Sequence, residues 1–402
     1  MKIWIWLSIV LISYFVYGFY ISHYDLSVIP KQLRKDNPIG FYDYTGVINV
    51  HTDLSLGSSQ PLEVITAAKA AKLDFLILTD LNTFNSPSQL DGYHGNTLVF
   101  VGNKISYLDS RLIYYSLKQE PLGFNLGEAQ VKMADLLSQK EGANENSLVI
   151  LAHPYKAGFT WSGEIPSGLD GFELLNIKSL SSRAWEISKI STLWSLLIYP
   201  FNNRLALLRL FSEPTEELAL LDKLSQQRSV IGFAGAEASA RAVPLANYLI
   251  KFPSYQRSFE LFSNHLLLKS ELTGNTATDQ QKIFAALKAG QFYISFDEIG
   301  NPKGFNAFIE EKGHVYPMGS KIKFSKNQIL KIRIPVEPLE FFEVVVYRNG
   351  ARYETFNSSE ADVPLKEPGS YRVQVRVSPY LPLPDAKKWI TWIYSNPFIV
   401  TP

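Results

Sequence analysis

From about residue 45 to residue 298 the chain repeats one local grammar. A short apolar run ends on polar residues, and a segment with apolar residues on one helical face follows. Strands buried on both faces and separated by covering helices read this way, so the pattern predicts a parallel sheet, and this many units suit a barrel. The expected strands are Gly46 to Val50, Asp74 to Thr79, Leu98 to Ile105, Ser147 to Ala152, Gly171 to Leu175 and Ser229 to Ala234. Helices are expected over Pro61 to Lys72, Ala129 to Gln139 and Asp279 to Ala289, with Pro61 at a permitted first-turn position. After about residue 300 the period shortens to two. Strands are expected over Leu330 to Val336, Phe341 to Tyr347, Ala351 to Thr355, Ser370 to Val377 and Ile390 to Ile399, with Asn349-Gly350 as a hairpin turn. An all-β sandwich over residues 299–402 fits that stretch.

The amino terminus obeys a third rule. Ile3 to Ile21 carries no charge, is long enough to cross a hydrocarbon core, and has Trp4, Trp6, Tyr17 and Tyr20 near its ends. Residues 1–22 are therefore expected to be a single transmembrane anchor, with a cleaved signal as the alternative. Residues 23–44, with Pro30 and Pro38, read as a linker. Lys31, Arg34 and Lys35 outnumber Lys2, which argues for a cytoplasmic main domain, but they begin well past the span and a large domain translocates regardless. An exported, periplasmic or extracellular, main domain is the expectation. Residues 190–211 form a second apolar segment, broken by Pro200, Asn202 and Asn203. It reads as an insertion packed over the barrel or the sandwich; an interfacial hairpin with its arginines at the headgroups is the alternative.

Composition removes several function classes. Lys plus Arg is 39 against 38 for Asp plus Glu, a net charge of +1, which gives no field for nucleic acid. There is no cysteine, so thiolate metal sites and cysteine nucleophiles are excluded. Any metal must be held by the six histidines and by carboxylates. No nucleophile elbow, P-loop or dinucleotide fingerprint is present.

Chemistry in such barrels gathers where the strands end. The polar strand exits are Asn49-Val50-His51-Thr52, Thr79-Asp80-Leu81-Asn82, Gly102-Asn103-Lys104, Ala152-His153-Pro154, Glu173 with Asn176, and Gly235-Ala236-Glu237-Ala238-Ser239. From about Thr45 to Asp297 this order resembles the PHP (polymerase and histidinol phosphatase) family. The resemblance is to its membrane-associated branch with a trailing β-sandwich, through Phe172-Glu173-Leu174-Leu175-Asn176, Ala285 to Gly290 and Tyr394-Ser395-Asn396-Pro397. The resemblance implies a distorted (β/α)7 barrel whose active members hydrolyse phosphate esters with two or three Zn, Mn or Fe ions.

Measured against that family the ligand set is depleted. The opening His-x-His stands as Asn49 and His51, Ser-Asp-Gly as Ser55-Leu56-Gly57, and Thr-Asp-His as Thr79-Asp80-Leu81. The bridging Glu stands opposite Lys104, and the last Asp-x-His is Glu237 and Ser239, while His153 is retained. An ammonium has no lone pair to give a cation and repels it at close range. A multinuclear centre is thus not expected. His51, Asp80, His153 and Glu237 are left to hold at most one divalent ion, Zn or Mn, and the expected cofactor is none. Lys104, with Asn49 and Ser239, is expected to form an anion pocket for a phosphate, a carboxylate or an acidic sugar. Asp80 is expected to cap the next segment or to pair with Lys104, and Glu173 and Asn176 to stabilise a loop. His23, His94, His265 and His314 are expected to be surface or structural.

The functional expectation is a membrane-anchored, catalytically degenerate phosphoesterase fold that binds an anionic ligand or a partner. One alternative is a mononuclear phosphoesterase using His51, His153 and Glu237. Another is an envelope scaffold whose sandwich contacts a partner protein.

Overall fold

A computed structural model describes residues 2–402 except 25, 27, 30–39, 85–87, 119–120, 246–247 and 386, and only the backbone of 241–252. The expected linker over 23–44 falls partly outside these residues, and its last three, Tyr42 to Tyr44, are strand rather than linker. An apolar helix α1 (Lys2–Ser22) precedes β1 (Tyr42–Val50), α2 (Pro61–Ala70), β2 (Phe75–Leu81) and a short β3 (Gly92–His94). Then come β4 (Thr97–Tyr107), β5 (Ser110–Ser116), α3 (Leu126–Ser138), β6 (Ser147–Ala152) and β7 (Gly171–Asn176). Four helices follow: α4 (Ile177–Ile187), α5 (Lys189–Ile198), α6 (Asn203–Leu210) and α7 (Thr215–Ser225). After β8 (Ile231–Ala238) and the hairpin β9 (Arg241–Leu245) and β10 (Tyr248–Phe252) come α8 (Tyr255–Phe259), β11 (Phe262–Leu268), α9 (Thr276–Ala289) and β12 (Phe292–Phe296).

The order β1-β2-β4-β5-β6-β7-β8 closes into a ring through the parallel β1–β8 contact, Ile48 facing Gly235 and Val50 facing Ala238. The expected seven-stranded barrel is therefore present. Its distortion has an identifiable source in β5, which is antiparallel to both neighbours. The strands are continuously apolar because both faces are covered. Leu76 and Leu78 of β2 pack with Val64 and Ile65 of α2, while Phe75 and Ile77 join the larger cluster that extends into the C-terminal strands.

β1 also forks the sheet. Its first half, Tyr42 to Gly46, pairs antiparallel with β11, and only its second half completes the ring. From β11 the sheet runs on through β12 into the C-terminal strands. In chain order the strands after β12 are β13 (Asn306–Glu311), β14 (His314–Pro317), β15 (Lys321–Lys323), β16 (Ile329–Arg333) and β17 (Phe341–Arg348). They continue with β18 (Ala351–Phe356), β19 (Glu360–Pro364), β20 (Gly369–Ser378), β21 (Ile390–Ser395) and β22 (Phe398–Thr401). β12 pairs with β21, so residue 298 is no break in the hydrogen-bonded sheet. A separate four-stranded sheet, β14-β13-β16-β19, supplies Ile309, Leu330 and Val363 to the same apolar cluster as Val344, Val373 and Val375. Asn349 and Gly350 make the expected hairpin between β17 and β18, both at positive φ (52° and 83°). The expected strand Ile390 to Ile399 is two strands, broken at Asn396-Pro397, where Asn396 Oδ1 accepts from Gly232 N at 2.8 Å.

The fork is held by a buried ion pair. His265 of β11 stacks on Tyr293 of β12, and its Nδ1 lies 2.8 Å from Asp43 Oδ1 of β1. Burial opposes a charged imidazole, but Asp43 and Asp297 outweigh it and raise His265 to about 9. A folded-state value above the unfolded 6.5 adds stability that is complete below pH 6.5 and fades as pH rises through 9. We predict that the loss between pH 6.5 and 9.5 is on the order of 3 kcal/mol, and that His265→Gln flattens this part of the thermal-melting profile.

Candidate functional site at the barrel mouth

The side chains that end β1, β4, β6, β7 and β8 meet at one point, the carboxylate of Glu237. Lys104 comes from β4 and lies beneath the mouth with only 1% of its surface exposed. Its Nζ donates to Glu237 Oε2 at 2.7 Å and to Asn49 Oδ1 at 3.1 Å. Asn49 in turn donates from Nδ2 to Glu237 Oε2 and to Glu173 Oε1, both at 2.6 Å. Lys178, in the first turn of α4, donates to Glu237 Oε1 at 2.6 Å. Asn176 donates to Glu173 Oε2 at 2.7 Å and to Glu237 Oε2 at 3.2 Å, and its own Oδ1 caps α4 through the amides of Lys178 and Ser179.

Backbone strain marks the same residues. Asn49, His153 and Glu237 have φ of 61°, 37° and 44°. Outside glycine such values persist only where surrounding structure imposes them, and they gather at functional sites. Gly235 answers a different need. A Cβ there would stand 1.6 Å from Glu173 Oε1, so only glycine leaves room for that carboxylate.

Electrostatics separate the two acids. Burial raises Glu173 to about 7, with Lys104 opposing. Burial works against Glu237 as well, but Lys104 and Lys178 overcome it and hold this carboxyl well below its ordinary range. His51 is lowered and His153 falls to about 3, in both cases mainly through burial, so both rings are neutral near pH 7. Their Nε2 atoms lie 3.6 and 4.0 Å from Glu237, too far to hydrogen-bond. Both nitrogens of His51 and Nδ1 of His153 find no partner among the described residues.

The sequence-derived assignments are redistributed by this geometry. Lys104 does not present a free ammonium, because the internal carboxylate of Glu237 stands where an external anion was expected. Asp80 neither pairs with Lys104 nor caps a helix. It accepts from Thr52 N and Oγ1 at 2.7 and 2.8 Å and from Ser55 Oγ at 2.5 Å, bracing the loop after β1. Glu173 and Asn176 belong to the central network rather than to a loop. Lys178 was missed, although its place two residues beyond the β7 exit was a usable signal. Ser239 lines the opening above Glu237, a cavity of about 320 Å³ shared with Lys156, Lys178, Ser181 and Ser182.

Two ammonium groups occupy both Glu237 oxygens, and among the described residues no group of three His, Asp or Glu side chains is arranged to hold a metal. The donor set does not fit the multinuclear centre that the family resemblance implies. It also does not fit the single ion proposed for His51, Asp80, His153 and Glu237, since Asp80 faces away into the 52–55 loop.

No family model matches the chain, and no curated protein does. Among solved structures, one similar chain is a two-domain protein containing a predicted PHP-like metal-dependent phosphoesterase from Bacteroides vulgatus. It shows 11% identity and a TM-score of 0.40, over 90% of this chain and 98% of that one. Another is a candidate metal-dependent phosphoesterase from Bifidobacterium adolescentis, at 12% identity and a TM-score of 0.29, over 53% of this chain and 94% of that one.

Removing Lys104 strips a close counter-charge from a buried carboxylate, whereas removing both partners does not. Lys104→Met is expected to destabilise the fold by about 3 kcal/mol in urea denaturation, and adding Glu237→Gln to restore part of that loss.

Proposed function

We propose that the protein is a membrane-anchored, catalytically degenerate barrel that binds a small anion at its mouth. The ligand class is a phosphate, a carboxylate or an acidic sugar. The observation that carries this reading is the buried Lys104–Glu237–Lys178 cluster. Two ammoniums face one carboxylate held ionised, while Glu173, raised to about 7, supplies less than a full negative charge near neutrality. The mouth is left with an excess of positive charge beneath a cavity of ligand size.

The neutral rings of His51 and His153 are buried, and three of their nitrogens have no partner among the described residues. Ser181, Ser182 and Ser239 also line the cavity. Anchoring is supported by α1, a 21-residue helix that carries no charge from Ile3 to Ile21 and is almost wholly exposed. A signal sequence has the same length and composition.

Inorganic phosphate and a simple phosphate monoester, titrated calorimetrically into the full chain, are expected to bind. Lys178→Ala is expected to weaken binding about tenfold or more, the worth of one charge-assisted hydrogen bond. Unchanged affinity in Lys178→Ala contradicts the reading. So does a phosphatase activity that appears with added Mn or Zn and vanishes in His51→Ala.

A further inference from the structure

Helix α5 is built inside out. Its polar side chains Ser191 and Ser195 turn inward, where their hydroxyls accept from Arg209 at 3.2 and 3.1 Å, and Thr192 is buried beside them. Four of its apolar side chains, Ile190, Leu193, Leu196 and Leu197, point outward and are 44% to 82% exposed, while Ile198 is buried. A helix packed on a protein in water carries the opposite arrangement. The expected packed insertion over residues 190–211 is thus only half realised. α6 buries Leu205 and Leu208, and Phe211 stacks on Phe296, but α5 keeps a bare apolar face. Both arginines have partners within the protein: Arg204 donates to the carbonyls of Glu298 and Ile299, and Arg209 pairs with Asp385.

A second apolar rim lies across the foot of α1. Phe341, Tyr380, Leu383 and Trp389 are all exposed, and Lys387 lies over the rings of Tyr380 and Phe341 at 3.5 and 5.0 Å. Aromatic side chains with an adjacent lysine are the composition favoured at a lipid–water boundary. Both rims touch the last turns of α1 or the residues just after it. Tyr14 Oη donates to Leu197 O at 2.8 Å, Tyr17 packs on Trp194 and donates to Leu383 O, and Tyr24 donates to Tyr380 O at 2.9 Å.

We infer that these two rims form a collar that seats the domain in the bilayer interface around the exit of α1, with the barrel mouth at the membrane-proximal end. The inference rests on α1 being a membrane anchor. The occupant is a lipid surface because the bare faces surround an apolar helix long enough to span one, and because α5 hides its hydroxyls and shows its leucines. The end of the barrel follows from two connections. α4 starts within the mouth, at Asn176, and leads directly into α5. The carbonyls that hold Arg204 follow β12, which runs in the direction of β1 because both pair antiparallel with β11.

The chain has no cysteine, so a single introduced cysteine takes a nitroxide label at one defined place. Val10→Cys in α1, Leu196→Cys and Leu383→Cys in the two rims, and Ala143→Cys just before β6, at the opposite end of the barrel, are each placed in the full chain. The proteins are reconstituted in vesicles of phosphatidylcholine and phosphatidylglycerol, and accessibility to oxygen is compared with accessibility to a water-soluble nickel chelate. The inference predicts that the oxygen preference is highest at Val10, intermediate at Leu196 and Leu383, and lowest at Ala143. A lipid-embedded Val10 with Leu196 or Leu383 as aqueous as Ala143 overturns the collar and leaves the anchor standing. An aqueous Val10 overturns the anchor, and the collar with it.

Discussion

The barrel mouth is organised by one ion pair, Lys104 with Glu237, joined across the ring from β4 to β8. A buried ammonium and a buried carboxylate each lose several kcal/mol of hydration, so each requires the other and further polar partners. Asn49, Asn176 and Lys178 supply those partners from β1, β7 and α4. The pair therefore sets more than local charge. It draws the ends of several strands to a common acceptor, and two of the residues involved, Asn49 and Glu237, have positive φ.

The same pair decides which chemistry the mouth supports. A metal-hydrolysis site concentrates negative and neutral donors around cations taken from solution. Here the cations are covalently part of the chain, and the carboxylate between them is already saturated. What lines the opening is Lys156, Lys178 and three serines, while the two neutral imidazoles are buried with unpartnered nitrogens. The proposed anion site rests on that positive edge and on the serines that line the opening.

Much of the barrel was legible in the sequence because burial on both faces writes itself as continuous apolar runs. β6 coincides with its expected span, and β2, β4 and β7 lie within a few residues of theirs. β5 was not legible: its Leu-Ile-Tyr-Tyr run shows no direction, and whether it runs antiparallel depends on the short connections at its ends. Strands β11 and β12 were missed beside the helix between them, although Phe292 to Phe296 alternates. At the site, His51, His153 and Glu237 were found from strand exits alone. The Lys104–Glu237 contact was not, because substitutions read along a chain do not reveal that residues 133 apart face one another. α5 teaches a related limit: periodicity locates its apolar face but not the side on which that face lies.

The most direct test of the central claim is anomalous scattering from crystals of the full chain grown with Zn or Mn. The account predicts no anomalous peak between His51, His153 and Glu237, and Lys104 Nζ within hydrogen-bond distance of Glu237. A peak bonded to those three residues at roughly 2.0–2.2 Å, with Lys104 turned out of the mouth, would contradict it.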